Sequence, residues 1–584
     1  MHKIEIIRHS LSHIMAHAVQ ELYPGTKFGI GPAIENGFYY DFEFKKPLTN
    51  EDLPKIEKKM KELIKEDVTF AKKIITKKEA KKLFSNQGYK LELIKELEEL
   101  KVSIYESGKF IDLCKGPHVK STLQLHSGQA KEIIDSFKLT RIAGAYWKGS
   151  EKNKMLTRIY GVAFMSKKEL EQYLQLQEEA EKRDHRVLGQ KLDLFSISDE
   201  VGAGLVIFHP KGAVIRSVIE DFWKNEHKKR GYQYVYSPHI GKLDLWKKSG
   251  HWEFYRESLY SPIEIEGVQY LLKPMNCPFH LQVFKSKIRS YKNLPIRYCE
   301  LGTVYRFEKA GTLHGLLRVR GFTQDDAHIF CMPSQINKEV ESVLDLACFM
   351  LNIFGFSNFE VELSVRDPKN KTKYLGSDKI WKKAENALEY SLKQKGLKYR
   401  RAEGEAVFYG PKIDIKLIDA LGRGWQGPTI QVDFNLPEKF DLNYIDEKGR
   451  KERVVMIHHT VLGSVERFIG NLLEHYAGAL PLWLSPVQIW IIPIGSRHEN
   501  YAKKVKEEIE KENPDLRIEI KDENETVSKK IRNGEIQKIP YLAVVGDNEI
   551  KEKSVRVRSK NKDLGMMKLE KFLEKINSEI KEKR

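Results

Sequence analysis

Apolar positions along the chain follow three different patterns. After Leu484-Ser485-Pro486 a continuous apolar run, QIWIIPI, reads as a buried parallel strand. From there the pattern alternates as strand 487–494, helix 498–512, strand 516–520, helix 525–534, strand 540–546 and helix 567–581. That order predicts a small α/β domain. The middle of the chain differs: a helix at 212–230 is followed by segments rich in Val, Ile, Tyr and Phe at 232–236, 268–272, 303–307, 359–364, 412–418 and 429–434. Many strands with few helices between them predict an antiparallel sheet in an α+β domain. The front carries Lys/Glu-rich helical stretches at 54–66 and 91–100. It ends in Leu170, Tyr173, Leu174 and Leu176, which the Ser166-to-Glu169 capping-box spacing introduces as a helix reaching about residue 188. The expected divisions are therefore 1–188, 189–484 and 485–584. No fixed-period repeat is present in the sequence, which argues against a solenoid.

Composition adds class and compartment. At 584 residues the chain is too long for one core, and length alone suggests about four domains. With 41% hydrophobic residues and 60 aromatics it can bury large apolar surfaces, which excludes wholesale disorder. Lys+Arg 100 against Asp+Glu 82 gives +18, suited to a polyanion such as nucleic acid or an acidic membrane. Residues 485–584 hold 23 Lys+Arg and 19 Asp+Glu, so no basic tail carries the excess and an extended footprint fits better. No apolar run reaches membrane-spanning length and MHKIEIIRHSLSH has no signal-peptide core, so a soluble cytoplasmic protein with no membrane partner is expected. Five cysteines, Cys114, Cys277, Cys299, Cys331 and Cys348, are no disulfide framework in so long a chain; thiols are left free to ligate metal or react.

The densest chemistry lies in YRFEKAGTLHGLLRVRGFTQDDAHIF. A strand, a Gly-bearing loop and a returning strand would gather Arg306, Glu308, Arg318 and Phe322 around one ligand. Guanidinium grips phosphate, carboxylate accepts from an exocyclic amine, and a Phe face stacks on a base. A charged hairpin with solvated arginines is the alternative. Neither G-x-x-x-x-G-K-[ST] nor G-x-G-x-x-G occurs in the middle block, so an ATP site there needs another architecture.

This R-x-E, loop, R-x-R-G-F arrangement resembles motif 2 of class II aminoacyl-tRNA synthetases. Together with KPMNCPFH, FYGPKIDI, MIHHTVLGSVERFIGNLLEHYAG, RHSLSHIMAH and DLCKGPH it resembles the threonyl-tRNA synthetase family in particular, from about residue 4 to the end. The resemblance implies a class II antiparallel catalytic core, an α+β N-terminal editing domain and a C-terminal α/β anticodon-binding domain. It implies that ATP, with Mg²⁺, and L-threonine form an adenylate from which tRNA(Thr) is charged. Arg306 would then contact the α-phosphate, Glu308 the adenine amine, and Phe322 and Arg467 the adenine faces, with Arg318 joining the phosphate contacts. The helix at 212–230 with Pro238 resembles motif 1, which implies a homodimer. The family's usual small N-terminal domain is expected to be missing, since the histidine motif begins within ten residues of Met1.

The same resemblance makes Cys277, His328 and His458 ligands of one zinc ion per subunit, although they lie 51 and 130 residues apart and spacing alone would not select them. Thiolate and two imidazoles leave one tetrahedral position open, as in a working zinc. A hydrophobic pocket separates threonine from valine by only about a hundredfold, and a Lewis acid that takes the amino nitrogen and hydroxyl together rejects valine. Asp326 and Gln324 should share the His328 strand face. Lys412, Tyr409, Gln426 and His251 follow from family position, with His251 assisting proton movement. His459 stands where arginine is usual, and alternation along a strand allows only one of His458 and His459 to be the ligand; His458 is expected.

Zinc does not reject serine, so a second, hydrolytic site is expected. His9 and His13 sit at i, i+4 spacing, and Cys114 and His118 recur in DLCKGPHV. These four resemble the editing residues of threonyl- and alanyl-type enzymes, with Tyr40, Lys90 and Asp112 completing the pocket and His17 packing in the core. A zinc quartet or metal-free water activation would each suit them, and the latter is expected because four protein ligands would close the shell. In the C-terminal domain Arg556 and Arg558 of SVRVRS share one strand face and could meet tRNA; surface arginines are the bland alternative. A non-catalytic synthetase-like RNA-binding protein, or a prolyl or seryl specificity, would lack one or more of these sets.

Overall fold

The computed structural model describes residues 3–122, 135–418 and 422–583. The chain forms two compact units, Met1–Glu178 and Glu179–Arg584.

The first unit is built around the helix Lys3–Leu22. Ile7, Leu11, Ile14, Met15 and Ala18 give it a wide apolar face, and all are buried against Phe38, Tyr40 and Phe42 of the strand Gly37–Glu43. That strand belongs to a five-stranded sheet in which it lies between Lys27–Phe28 and Met155–Ala163, with Phe137–Tyr146 beyond. A second sheet pairs Phe70–Thr76, Lys101–Ser107 and Phe110–Leu113. The helix expected at 54–66 is Leu53–Lys65, whereas that at 91–100 starts earlier and stops sooner, at Gly88–Glu96, because Lys101 already begins a strand. The helix expected to reach 188 breaks into Lys167–Arg183 and His185–Lys191, where the Asp184 carboxylate caps the second by accepting from the Arg186 amide. Of its apolar stripe only Leu170 is buried.

The second unit holds an eight-stranded sheet in the order Gln233–Tyr234, Ile296–Tyr305, Gly321–Cys331, Val455–Thr460, Gly424–Asp433, Lys412–Ile418, Phe359–Val365 and Arg400–Glu403. Its six inner strands are antiparallel, as the pattern predicts, and each edge strand is added in parallel. The helices Pro210–Lys229, Ile336–Ile353, Asp378–Gln394 and Val465–His475 share one core with the sheet, among them Trp223, Leu344, Leu388, Ile430 and Phe468. Each such side chain contributes about 1.5–3 kcal/mol on burial.

Residues beyond Leu484 build a five-stranded sheet in the order Ile518–Ile520, Ile489–Pro493, Tyr541–Val545, Ser554–Ser559 and Lys562–Lys568. The first three strands are parallel and alternate with helices close to the expected places. The last two form an antiparallel hairpin, preceded by the helix Asp547–Lys551, that the alternation did not include. Val555 and Val557 enter the core, which turns Arg556 and Arg558 to the other face.

Candidate functional site

The long hairpin of the central sheet pairs Tyr305 with Gly321 and Ile296 with Phe330. It holds one side of a cavity of about 320 Å³ lined by Arg306, Phe322, Gln324, Asp326, His328, Tyr409, Lys412, Gln426, His458, Arg467 and Cys277. Eleven of the residues singled out in the sequence thus converge there. Glu308, Arg318 and His251 do not line it. Glu308 and Arg318 pair with each other instead, the Arg318 Nε donating to Glu308 Oε2 at 3.0 Å.

The cavity concentrates positive charge. Arg306 is anchored by Nε to the Pro274 carbonyl at 3.1 Å, and its guanidinium lies 5.2 Å from the Phe322 ring centroid. Arg467 is anchored by Nε to the Leu317 carbonyl at 3.1 Å. Burial lowers the Arg467 pKa, as do the nearby charges of Arg306 and Arg318, with Glu308 the opposing charge. Partly buried guanidinium groups held together in this way favour an anion. On the opposite wall Lys412 pairs with Asp414 at 2.7 Å, and Asp414 also accepts from Gln426 at 3.0 Å. Tyr409 donates to Gln431 at 2.6 Å.

The histidines at the cavity floor have assignable protons. Asp433 Oδ1 accepts from the amides of Asn435 and Leu436, and its Oδ2 faces His458 Nε2 at 2.9 Å. The His458 proton is therefore on Nε2, and Nδ1 carries a lone pair. Glu300 faces His280 Nε2 at 3.1 Å, which puts that proton on Nε2 and leaves His280 Nδ1 to accept from His328 Nδ1 at 2.7 Å. Hence His328 Nε2 also carries a lone pair, and it meets His458 Nδ1 at 3.0 Å. Two acceptors aimed at one another fit a cation between them. Burial, then the neighbouring His280 and His458, hold His328 well below the usual imidazole range, so a proton is disfavoured there.

Cys277 lines the same cavity, but its thiol is engaged by His251 Nε2 at 3.8 Å rather than by the two imidazoles. The three do not form a set with all ligand atoms within 4.8 Å; among the described residues His9, His13, Cys114 and His118 do, as do Asp184, His185 and Glu474. Asp326 accepts from Asn276 at 3.1 Å and lies 3.5 Å from His328 Nε2. His459 points to the other face of its strand, where its Nε2 meets the Tyr232 hydroxyl at 2.8 Å.

Sequence reasoning missed His280, Glu300 and Asp433, which fix the tautomers, and it missed Asp325. Asp325 Oδ2 accepts from the amides of Val461 and Leu462 and from Trp223 Nε1, while Oδ1 accepts from Gly463. It pins the loop before Ser464, whose hydroxyl caps the Arg467 helix. The doublet Asp325-Asp326 was the available signal, since neighbours on a strand must face opposite ways.

In the first unit the expected histidine and cysteine residues also meet. His9 Nδ1 bonds the Pro117 carbonyl at 3.2 Å, so its Nε2 lone pair faces Cys114 Sγ at 3.4 Å. The Ser10 hydroxyl donates to the Ile6 carbonyl and so accepts from His118 Nδ1 at 3.2 Å, leaving the His118 Nε2 lone pair 3.3 Å from the same sulfur. One thiol proton cannot satisfy both acceptors. His13 Nε2 lies 3.6 Å from Asp112, which also accepts from Tyr40 at 2.6 Å and pairs with the buried Lys90. Burial pushes the Cys114 thiol up to about 11 and lowers His9, His13 and His118. His17 is buried beside Glu21 at 3.4 Å, outside the cluster.

In the C-terminal sheet Arg556 pairs with Asp563 at 2.8 Å and Arg558 with Glu535 at 3.3 Å.

Comparison with known proteins places these features. Residues 260–476 match the tRNA synthetase class II core domain (G, H, P, S and T), residues 488–579 an anticodon binding domain, and residues 102–160 the threonyl and alanyl tRNA synthetase second additional domain. A threonine-tRNA ligase of Dehalococcoides mccartyi (strain CBDB1) is 53% identical over 580 residues, 99% of this chain and 97% of that protein. One from Aquifex aeolicus (strain VF5) is 51% identical over 99% of this chain and 90% of its own length. Among solved structures, the RNA binding domain of threonyl-tRNA synthetase from Cryptosporidium parvum Iowa II aligns with a TM-score of 0.64 at 40% identity, covering 68% of this chain and 98% of that one. Prolyl-tRNA synthetase from Cryptosporidium parvum, complexed with L-proline and AMP, shares the fold at a TM-score of 0.52 and 19% identity over 68% of this chain and 75% of its own.

Proposed function

We propose that this chain, which belongs to the threonyl-tRNA synthetase family of class II ligases, charges tRNA with L-threonine through a threonyl-adenylate and clears seryl-tRNA at a second site. Threonine-tRNA ligase activity, with ATP, the amino acid and tRNA as partners, is the activity of the family. The observation that carries the adenylate step is the convergence of Arg306, Arg467 and Phe322 on one cavity with Asp326, His328 and His458.

Arg306 and Arg467 hold the triphosphate and neutralise charge that grows on the α-phosphate and the leaving pyrophosphate. Their Nε atoms are already tied to carbonyls, so the guanidinium groups need little reorganisation. Phe322 offers a face to the base. Mg²⁺ brought in with ATP as part of the substrate would add to that neutralisation. Reaction follows attack of the threonine carboxylate on the α-phosphorus with pyrophosphate leaving, and no enzyme nucleophile is needed.

His328 and His458, with Cys277, are the residues that would hold zinc. The facing lone pairs would supply two donors, and Cys277 in the same cavity would supply the third as a thiolate, on leaving His251 and giving up its proton. Bound there, zinc would supply Lewis acidity toward an amino group and a hydroxyl. Asp326 accepts from the substrate's hydroxyl or ammonium, and Lys412 and Gln426 are steadied by Asp414; His251, fully buried behind the cavity, would assist proton movement only after its Nε2 leaves the Cys277 thiol and its ring gains access to the cavity.

At the second site His9 and His118 share one thiol proton, so one imidazole remains to polarise water toward the seryl ester. Asp112, Lys90 and Tyr40 fix His13 beside it. Four protein ligands on a metal would leave no place for that water, which favours the metal-free reading. Arg556 and Arg558 share one strand face and would meet the anticodon by exchanging Asp563 and Glu535 for RNA groups. Tyr236 is 89% exposed close to the helix Pro210–Lys229, which supports a homodimer through this region. The adenylate reading is tested by threonine-dependent exchange of pyrophosphate into ATP without tRNA; exchange that required tRNA would oppose it.

A further inference from the structure

Asp184, His185 and Glu474 bring three ligand atoms within 4.8 Å, a set that could suit a cation. Their charges are already matched, however, Asp184 by Arg186 at 2.6 Å and Glu474 by Arg423 at 2.5 Å. Both ring nitrogens of His185 are also engaged. The Leu316 amide donates to Nε2 at 2.9 Å, so the ring proton sits on Nδ1 and is donated to Glu474 Oε1 at 2.7 Å.

We propose that His185 is a positioning residue that holds Arg467 in place for the nucleotide. Glu474 follows Arg467 by seven residues on the helix Val465–His475, two turns along the same face. Leu317, next to the residue that His185 grips, accepts from Arg467 Nε at 3.1 Å. Arg467, Leu317, Leu316, His185 and Glu474 therefore close a ring of contacts through the helix. With Nε tied to the loop, the guanidinium plane is fixed where it lines the cavity.

Two glycines make this possible. Gly315 has φ +47°, and a Cβ there would stand 2.1 Å from His185 Nε2. A Cβ at Gly470 would stand 3.0 Å from Leu317 Cδ2 and 3.2 Å from Leu316 Cβ. The His185 ring is fully buried, so the bracket has no competing water.

The inference rests on the reading of Arg467 as a nucleotide-binding group. Its test is pyrophosphate exchange with the full chain, measuring KM for ATP and for threonine separately. His185→Ala should raise the ATP KM roughly tenfold with the threonine KM within about twofold. His185→Gln keeps an acceptor for the Leu316 amide and should recover most of the loss. Gly470→Ala, which opens the bracket with His185 intact, should give the same ATP-selective rise, and it decides the matter if His185→Ala does not fold. Equal rises in both KM values, or no rise in folded His185→Ala or Gly470→Ala, would overturn the proposal. Arg467→Ala separates the two readings: an unchanged ATP KM there removes the nucleotide role of Arg467 and the proposal with it, whereas a raised one beside normal His185→Ala removes the proposal alone.

Discussion

His328 Nε2 and His458 Nδ1 face each other across 3.0 Å with each ring's single proton committed on its far side. The commitment is made by Glu300 through His280 and by Asp433, so the readiness of the pair to accept a metal is set by residues outside the proposed ligand set. Outer partners of this kind are typically worth 10- to 100-fold in metal affinity. Asp433→Asn should weaken zinc binding by about that factor with the fold retained. Cys277→Ser should lose bound zinc with little change in the unfolding midpoint; a full equivalent of metal in that variant would contradict the ligand assignment.

Editing and charging should separate by mutation. His13→Ala and Asp112→Asn are expected to slow deacylation of seryl-tRNA by at least about 10²-fold, the usual contribution of a positioned proton carrier. Charging with threonine should be unchanged. Deacylation at the parental rate in His13→Ala would remove the editing assignment.

The pH dependence of deacylation follows from burial. His9, His13 and His118 are all lowered below the ordinary imidazole value of 6.5, chiefly by desolvation. A base that works unprotonated then stays active as pH falls from 8 to 6, and the rate should decline only below that. A decline centred near 6.5 would show ordinary, exposed histidines instead.

Folding stability should show the same groups. Burial lowers His227 to about 4 and His251 to about 3, and lowers His13 and His459 as well. Below about pH 6.5 the unfolded chain binds protons that the folded chain refuses, so stability is lost as pH falls. The thermal midpoint should therefore drop between pH 7 and 5; a midpoint that rose over this range would contradict the neutral assignment.

Asp325 accepts four donors and anchors the loop that leads to Arg467. Asp325→Asn turns an amide NH₂ toward at least one of those N–H groups and should cost about 2 kcal/mol or more. Denaturant unfolding measures it, and an unchanged midpoint would show that the loop holds itself.

What the sequence made legible depended on the range of the signal. His9 and His13 declare a shared helix face by spacing, and the antiparallel centre declares itself by short β-rich segments, both local periodicities. Cys277, His328 and His458 have no such spacing, and only the family motifs pointed to them. His280, Glu300 and Asp433 were missed because a tautomer relay exists only after the strands Ile296–Tyr305, Gly321–Cys331, Gly424–Asp433 and Val455–Thr460 have paired. The C-terminal hairpin escaped the helix-strand alternation because its two strands turn back with only Lys560 and Asn561 between them, both at positive φ.

The most direct measurement is pyrophosphate exchange with threonine, serine, valine and proline, with zinc quantified in the same preparation. The expected result is one zinc per chain, strong exchange with threonine, weaker exchange with serine, and none above background with valine or proline. Exchange with valine comparable to that with serine, or full threonine exchange in a preparation without zinc, would contradict recognition of the substrate hydroxyl by the His328–His458 pair.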